Sequence, residues 1–193
     1  MKKIFYLMGK SASGKDTIYT ELKKELPDFH TLVGYTTRPM REGEQEGREY
    51  HFTDEAGLKD MESKGIVIEK RIYHTMSGDW IYFTADDGQA EEGDYFLLIG
   101  TLESYVKVRD YFGKNKVLPI YIEVEDGDRL MRAIKREMQQ KAPKYDEICR
   151  RFLADQKDFG EEQMSLAGIG IRFYNRNLRA CIDEIKDYII SKK

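Results

Sequence analysis

Seven residues near the start of the chain, Gly9-Lys10-Ser11-Ala12-Ser13-Gly14-Lys15, have the types and spacing needed to hold a chain of phosphates. Glycines let the backbone curl so that successive N–H groups point inward, and Lys15 supplies a mobile cation for the outer phosphates. The pattern Gly-x-x-x-x-Gly-Lys is that of a P-loop, with Gly9, Ser11, Ala12, Ser13, Gly14 and Lys15 as the candidate triphosphate-binding positions. Asp16 and then Thr17 follow Lys15, where such loops place a hydroxyl that ligates Mg²⁺. A carboxylate is a harder oxygen ligand, but it sets negative charge beside a polyanion. Two readings stand: Mg²⁺ lies between Asp16 and the phosphates, or Asp16 caps the next helix and nucleotide and water hold the metal.

A second anion site is spelled by Thr36-Thr37-Arg38-Pro39-Met40-Arg41, running on to Glu49-Tyr50-His51-Phe52. Arg38 and Arg41, braced by Pro39, can converge on one phosphate through charge-assisted forks, and Tyr50 adds a hydroxyl donor. By composition alone the segment reads as a solvated loop, since Glu42, Glu44 and Glu46 offset the arginines. The third unusual stretch, 131–151, holds seven Lys and Arg against three Asp and Glu. Within it Arg132 and Arg136 fall one turn apart on one helix face.

Positioning these groups requires strands that feed loops. Lys3–Met8 is a short apolar run ending in a turn signal, which predicts a buried strand, and Ile18, Leu22 and Leu26 give the next segment helical spacing up to Pro27. Further strands are predicted at 31–36, 66–73, 80–84, 95–99, 117–124 and 169–174, and helices at 102–112, 128–140, 145–159 and 178–190. Alternating strands and helices predict an α/β fold with a parallel sheet flanked by helices. The strand-rich middle predicts a small mixed subdomain interrupting it.

The 193 residues suit one domain, and 40% hydrophobic content supplies a core. A formal net charge of -3 argues against nucleic acid or an anionic membrane as the main partner. Only Cys149 and Cys181 are present, without metal-ligand spacing, and the apolar run after Lys2-Lys3 is too short for a leader. No run reaches a membrane-spanning length. A cytoplasmic, single-domain monomer or homodimer acting on small molecules is the expectation.

The order of residues in the second anion site resembles the acceptor loop of the guanylate kinase family. That loop reads Thr-Thr-Arg-x-x-Arg-x-Gly-Glu-x-x-Gly-x-Asp-Tyr-x-Phe, and every fixed position except the Asp, here Glu49, is present. The resemblance implies a P-loop NTPase-type parallel sheet (1–33 and 94–193), an acceptor-binding subdomain (34–93) and a helical lid (about 132–151). It implies ATP as phosphoryl donor with Mg²⁺, and GMP as acceptor. Arg38, Arg41 and Tyr50 would hold the GMP phosphate. Glu69 looks like the carboxylate that accepts from guanine N1–H and the 2-amino group. Tyr82-Phe83-Thr84 resembles the family's Tyr-Gly-Ser/Thr, with extra residues around 74–79 separating it from Glu69. Ile148-Cys149-Arg150-Arg151 is similar to the motif after the lid, which makes Arg151 the catalytic candidate beside Lys15 and Arg136, with Arg150 the alternate. Arg132 and Asn175 are carried over to the ATP side. Where the family has Leu-Asp-Ile-Asp, this chain has Leu97-Leu98-Ile99-Gly100, and Gly34 stands where the family has a phosphate-binding serine. These departures bear on base selection more than on phosphoryl transfer. Two alternatives are the same transfer to another nucleotide or a phosphorylated sugar, and a non-catalytic interaction module.

Overall fold

In the computed structural model, which describes residues 2–75 and 78–193, the chain builds two sheets. The first carries β2 (His30–Thr31), β7 (Tyr95–Ile99), β1 (Lys3–Met8), β8 (Val117–Glu123) and β9 (Arg172–Tyr174), all parallel and in that spatial order. β1 lies at its centre, and its side chains alternate between two cores, as a parallel strand covered on both faces requires. Ile4, Tyr6 and Met8 pack with Phe96, Leu98, Tyr105 and Val108, the last two from α3 (Leu102–Phe112). Phe5 and Leu7 pack with Ile18 and Leu22 of α1 (Lys15–Glu25) and Ile182, Ile185 and Ile189 of α7 (Leu178–Ser191).

The second sheet has the order β4 (His51–Phe52), β3 (Tyr35–Thr36), β6 (Gly78–Ala85), β5 (Val67–Thr75), with α2 (Glu55–Ser63) packing Leu58 against Tyr35 and Phe83. The strand predicted at 31–36 divides between the sheets. Leu32 still donates to the Leu97 carbonyl, but Gln89 then brackets Val33, accepting from its N–H at 2.8 Å and donating to its carbonyl at 3.2 Å. The chain crosses from one sheet to the other there. Helix α2 escapes the periodicity reading because it buries only Leu58; Asp54 starts it by accepting from the Gly57 amide. A short helix α6 (Glu161–Leu166) is likewise not predicted.

The extra residues around 74–79 are absorbed by the β5–β6 hairpin; residues 76 and 77 lie outside the described residues. Its register sets Glu69 opposite Thr84 and Arg71 opposite Tyr82. The basic stretch becomes α4 (Asp126–Glu137) and α5 (Tyr145–Asp158), joined through 138–144. No helix of the described residues is long and apolar enough to cross a membrane.

Candidate active site

β1 ends at Met8, and the loop that follows turns through Ala12 (φ 61°) and Gly14 (φ 86°), both left-handed. Its glycines are forced by crowding. A Cβ at Gly9 would lie 2.6 Å from the Ile122 carbonyl, and one at Gly14 would lie 2.5 Å from the Asn175 amide nitrogen. Asn175 Nδ2 donates to the Ser13 carbonyl at 2.8 Å, and Arg132 Nη2 donates to the Asn175 carbonyl at 2.9 Å. Asn175 and Arg132 thus brace the loop from behind. The Ser13 hydroxyl is buried with no partner among the described residues.

A further brace comes from residues that the sequence reading did not single out. Asp155 of α5 accepts the Ser11 amide at 2.8 Å. Arg129 of α4, 2% exposed, donates to the Ser11 carbonyl at 3.1 Å and to Asp155 at 3.2 Å, and its guanidinium lies 4.9 Å from the centre of the Phe152 ring. Lys10 Nζ reaches Gln156 Oε1 at 2.6 Å. Both helices are therefore tied to the outer end of the loop.

Lys15 opens α1 with its ammonium 3.0 Å from the Asp16 carboxylate, and both residues line a cleft of about 930 Å³. Among the described residues lining it are eight Lys and Arg against five Asp and Glu, so it has a local positive surplus that the whole chain lacks. Thr17 is exposed beside Asp16 and is not among the lining residues. No group of three or more His, Cys, Asp or Glu is placed to hold a metal among the described residues. One outward carboxylate is nonetheless the usual protein share for Mg²⁺, which keeps waters and phosphate oxygens as its other ligands. The residues present fit such an ion.

Across the cleft stands the Arg38–Tyr50 segment. Arg38 is buried and already paired: Nη1 and Nη2 meet Glu44 at 2.7 and 2.5 Å, and Nε donates to the Tyr82 hydroxyl at 3.0 Å. The Glu44 pair raises the Arg38 pKa and in turn lowers that of Glu44. Arg41 lines the cleft with its guanidinium 6.0 Å from the centre of the Trp80 ring. Tyr50 and Tyr82, edge to face at 5.4 Å, also line it. Burial first, then the neighbouring Tyr82, pushes the Tyr50 hydroxyl up to about 12, so it remains a protonated donor at neutral pH.

At the far end the structure brings together Glu69 and Thr84, two candidates for the acceptor side, and adds two partners that the sequence did not single out. Thr84 Oγ1 and Ser104 Oγ donate to Glu69 Oε1 at 2.8 and 2.7 Å, and Arg71 forks onto both oxygens at 3.0 and 3.3 Å. Burial works against the Arg71 charge, but Glu69 together with Tyr6 and Tyr73 outweighs it and keeps the Arg71 pKa above its ordinary value. Period-two alternation was the available signal: Glu69 and Arg71 share a strand face. Glycine at position 100 has a steric reason, since a Cβ there would collide with the Tyr6 hydroxyl.

On the lid side, Arg150 and Arg151 both line the cleft and both hold Glu147, at 2.7 Å from each Nε. The Arg150 bond first, with Arg151 adding to it, draws the Glu147 carboxyl down to about 2. Arg136, exposed in the last turn of α4, is not among the described residues that line the cleft.

Comparison with known proteins agrees with this geometry. The family model described as guanylate kinase matches residues 1–162. The chain is 26% identical over 191 residues to guanylate kinase of Chlorobium chlorochromatii, covering 98% of this chain and 95% of that one. It is 27% identical over 161 residues to guanylate kinase of Nitrosomonas europaea, covering 80% and 73%. A local match at 33% identity to guanylate kinase of Desulfotalea psychrophila spans 37% of this chain and 36% of that relative. Among solved structures, guanylate kinase from Anaplasma phagocytophilum shares the fold, with a TM-score of 0.70 at 19% identity over 99% of this chain and 86% of the other. A family match over 162 of 193 residues, on a chain whose phosphate loop faces an arginine–tyrosine wall across one cleft, places this protein in the guanylate kinase family.

Proposed function

We propose that the chain transfers the terminal phosphoryl group of ATP to GMP, giving ADP and GDP. The observation that carries this reading is the opposition of Lys15 and Asp16 to Arg41, Tyr50 and Tyr82 across one positively surplus cleft. In this reading the loop from Gly9 to Thr17 takes the ATP phosphates, with Asn175 and Arg132 fixing its shape from behind. The acceptor phosphate docks on Arg41, Tyr50 and Tyr82, and Arg38 exchanges Glu44 for it.

The acceptor is already an anion, so no strong general base is required, and the work is to neutralise and align two polyanions. Lys15 would meet charge developing on the transferred group. Arg150 and Arg151, held by Glu147 at the cleft edge, would be released toward the same group as the lid closes, and Arg136 would follow from α4. Mg²⁺, held by Asp16 together with nucleotide and water, would supply further neutralisation of the phosphate oxygens. Closure of α4 and α5 on one side and residues 34–93 on the other would exclude water, protecting ATP from hydrolysis. The two cysteines, unpaired in the structure, fit a reducing cytoplasm. A non-catalytic interaction module would leave the charge surplus of the cleft without a use.

A coupled ADP-release assay across GMP, dGMP, AMP, CMP, UMP and ribose phosphates tests the reading. GMP should give the highest kcat/KM. Turnover with none of the nucleotides would overturn it.

A further inference from the structure

Arg129 does not need Asp155 to balance its charge. Its Nε and Nη2 both reach Oδ1 of Asp126, on its own helix, at 3.1 and 2.7 Å. Asp155 is a second carboxylate, and it stands where negative charge is unfavourable, on the cleft wall beside a loop built for phosphates. What Asp155 adds is a grip on Ser11, accepting its amide while Arg129 takes its carbonyl. The preceding loop residue is tied in the same way. The Lys10 ammonium reaches Gln156 of α5 and lies 3.7 Å from Asp126 of α4. Gln156 in turn donates to Asp126, which joins the two helices to each other at the level of the loop.

These ties are in register with the arginines of the lid. The α5 residues that line the cleft fall at 147, 150, 151, 154, 155 and 158, the spacing of one helix face. Arg151 is therefore one turn, about 6 Å of axial rise, from the carboxylate that grips the loop. On α4, Arg129, Arg132 and Arg136 follow at intervals of three and four, again on one face. Arg132 adds a second tie, through Asn175 to the Ser13 carbonyl. Each helix thus carries its loop contact and its outer arginines on the same side.

We propose that Arg129 and Asp155 are positioning residues for phosphoryl transfer: clamped on Ser11, their ion pair is the fixed point from which α4 presents Arg136 and α5 presents Arg150 and Arg151 to the transferred group. The assignment rests on the phosphotransfer reading above and deepens it. Neither residue meets the reacting atoms. Their effect is to set the distance between loop and lid, so that phosphates held by the one meet guanidinium groups carried by the other. A misplacement of about 1 Å, caused far from the chemistry, can cost about 10²-fold in rate.

The test measures kcat, KM for ATP and for GMP, and the urea midpoint for wild-type protein, Asp155→Asn and the double variant Arg129→Met, Asp155→Leu. Apolar replacement of both partners should return stability that either single change loses. It cannot restore the grip on Ser11, so kcat should stay about tenfold to a hundredfold below wild type, with KM for GMP within about twofold. Recovery of kcat together with stability would show a purely structural pair and overturn the assignment. A higher KM with unchanged kcat would overturn it too, since that is the loss of uniform binding. Asp155→Asn keeps the shape and an oxygen for the Ser11 amide, and should lower kcat about threefold or more at a temperature where it is fully folded. An unchanged kcat in that variant would overturn the assignment even if the double variant failed to fold. Absence of turnover by wild-type protein would overturn the phosphotransfer reading, and this one with it.

Discussion

The Asp155 carboxylate accepts the Ser11 amide at 2.8 Å and lies 3.2 Å from Arg129, which also donates to the Ser11 carbonyl and to Asp126. One ion pair thus grips both polar groups of a single P-loop residue, and it does so from the two helices on either side of the lid. Asp155→Ala would leave Arg129 with Asp126 as its remaining carboxylate and the Ser11 amide without its acceptor, and should cost about 1–3 kcal/mol in urea unfolding. The double variant Arg129→Met, Asp155→Leu should recover much of that loss. If the two single changes simply add, the coupling is absent.

Lys15 lines the cleft, and its side chain is partly exposed rather than packed in the core. Lys15→Ala should therefore lower kcat by about 10²-fold or more with little change in thermal midpoint. Near-normal kcat in the variant would remove Lys15 from the chemistry.

Tyr50 keeps its proton because burial raises its pKa to about 12. Its donor role should therefore persist across the neutral to alkaline range. Tyr50→Phe should raise KM for the acceptor about tenfold while leaving KM for ATP unchanged. An equal rise in both constants would point to a packing role instead.

Glu25 joins α1 to α7 by pairing with Arg179 and with Lys186, the latter at 2.5 Å, and the Arg179 bond first among these lowers its pKa from 4.5 to about 2. A depressed folded-state pKa gives stability that is present above the unfolded value and is lost as pH falls through the folded one. Thermal midpoints should therefore decline between about pH 5 and pH 2, and Glu25→Gln should flatten that decline. An unchanged acid limb in the variant would show that the pairs contribute nothing.

Gly100 has no room for a side chain because Tyr6 fills it. Gly100→Ala should destabilise by about 1–3 kcal/mol, and Tyr6→Phe in the same chain should return part of the loss. A neutral Gly100→Ala, read by denaturant midpoint, would mean that the Tyr6 ring moves aside freely.

The candidate site was legible where function is local. A P-loop needs glycines and a lysine at fixed spacing, so seven consecutive residues announce it. The Arg38–Tyr50 segment was legible only through the order of its residues and the family loop that order resembles, since its composition is that of a solvated loop. What the sequence hid were contacts between distant segments. Asp155 to Ser11 spans 144 positions, and Ser104 to Glu69 spans 35. Helix α2 went unseen because a helix burying one leucine leaves almost no periodic signal. The strand at 31–36 was read as continuous because its apolar run is continuous; only the bracket of Gln89 on Val33 divides it.

The sequence by itself determined which loops carry anion-binding patterns and that they sit on a strand-helix frame, because backbone geometry and residue type suffice for those statements. Tertiary structure decided which charges remain free to meet a ligand. Glu69 and Arg38 carry the charges expected of binding groups, yet folding pairs each of them internally, and it leaves Arg41 and Arg71 lining the cleft. The reason is electrostatic: a charge taken out of water must find its partner wherever the fold brings one, and no spacing along the chain specifies which neighbour that will be.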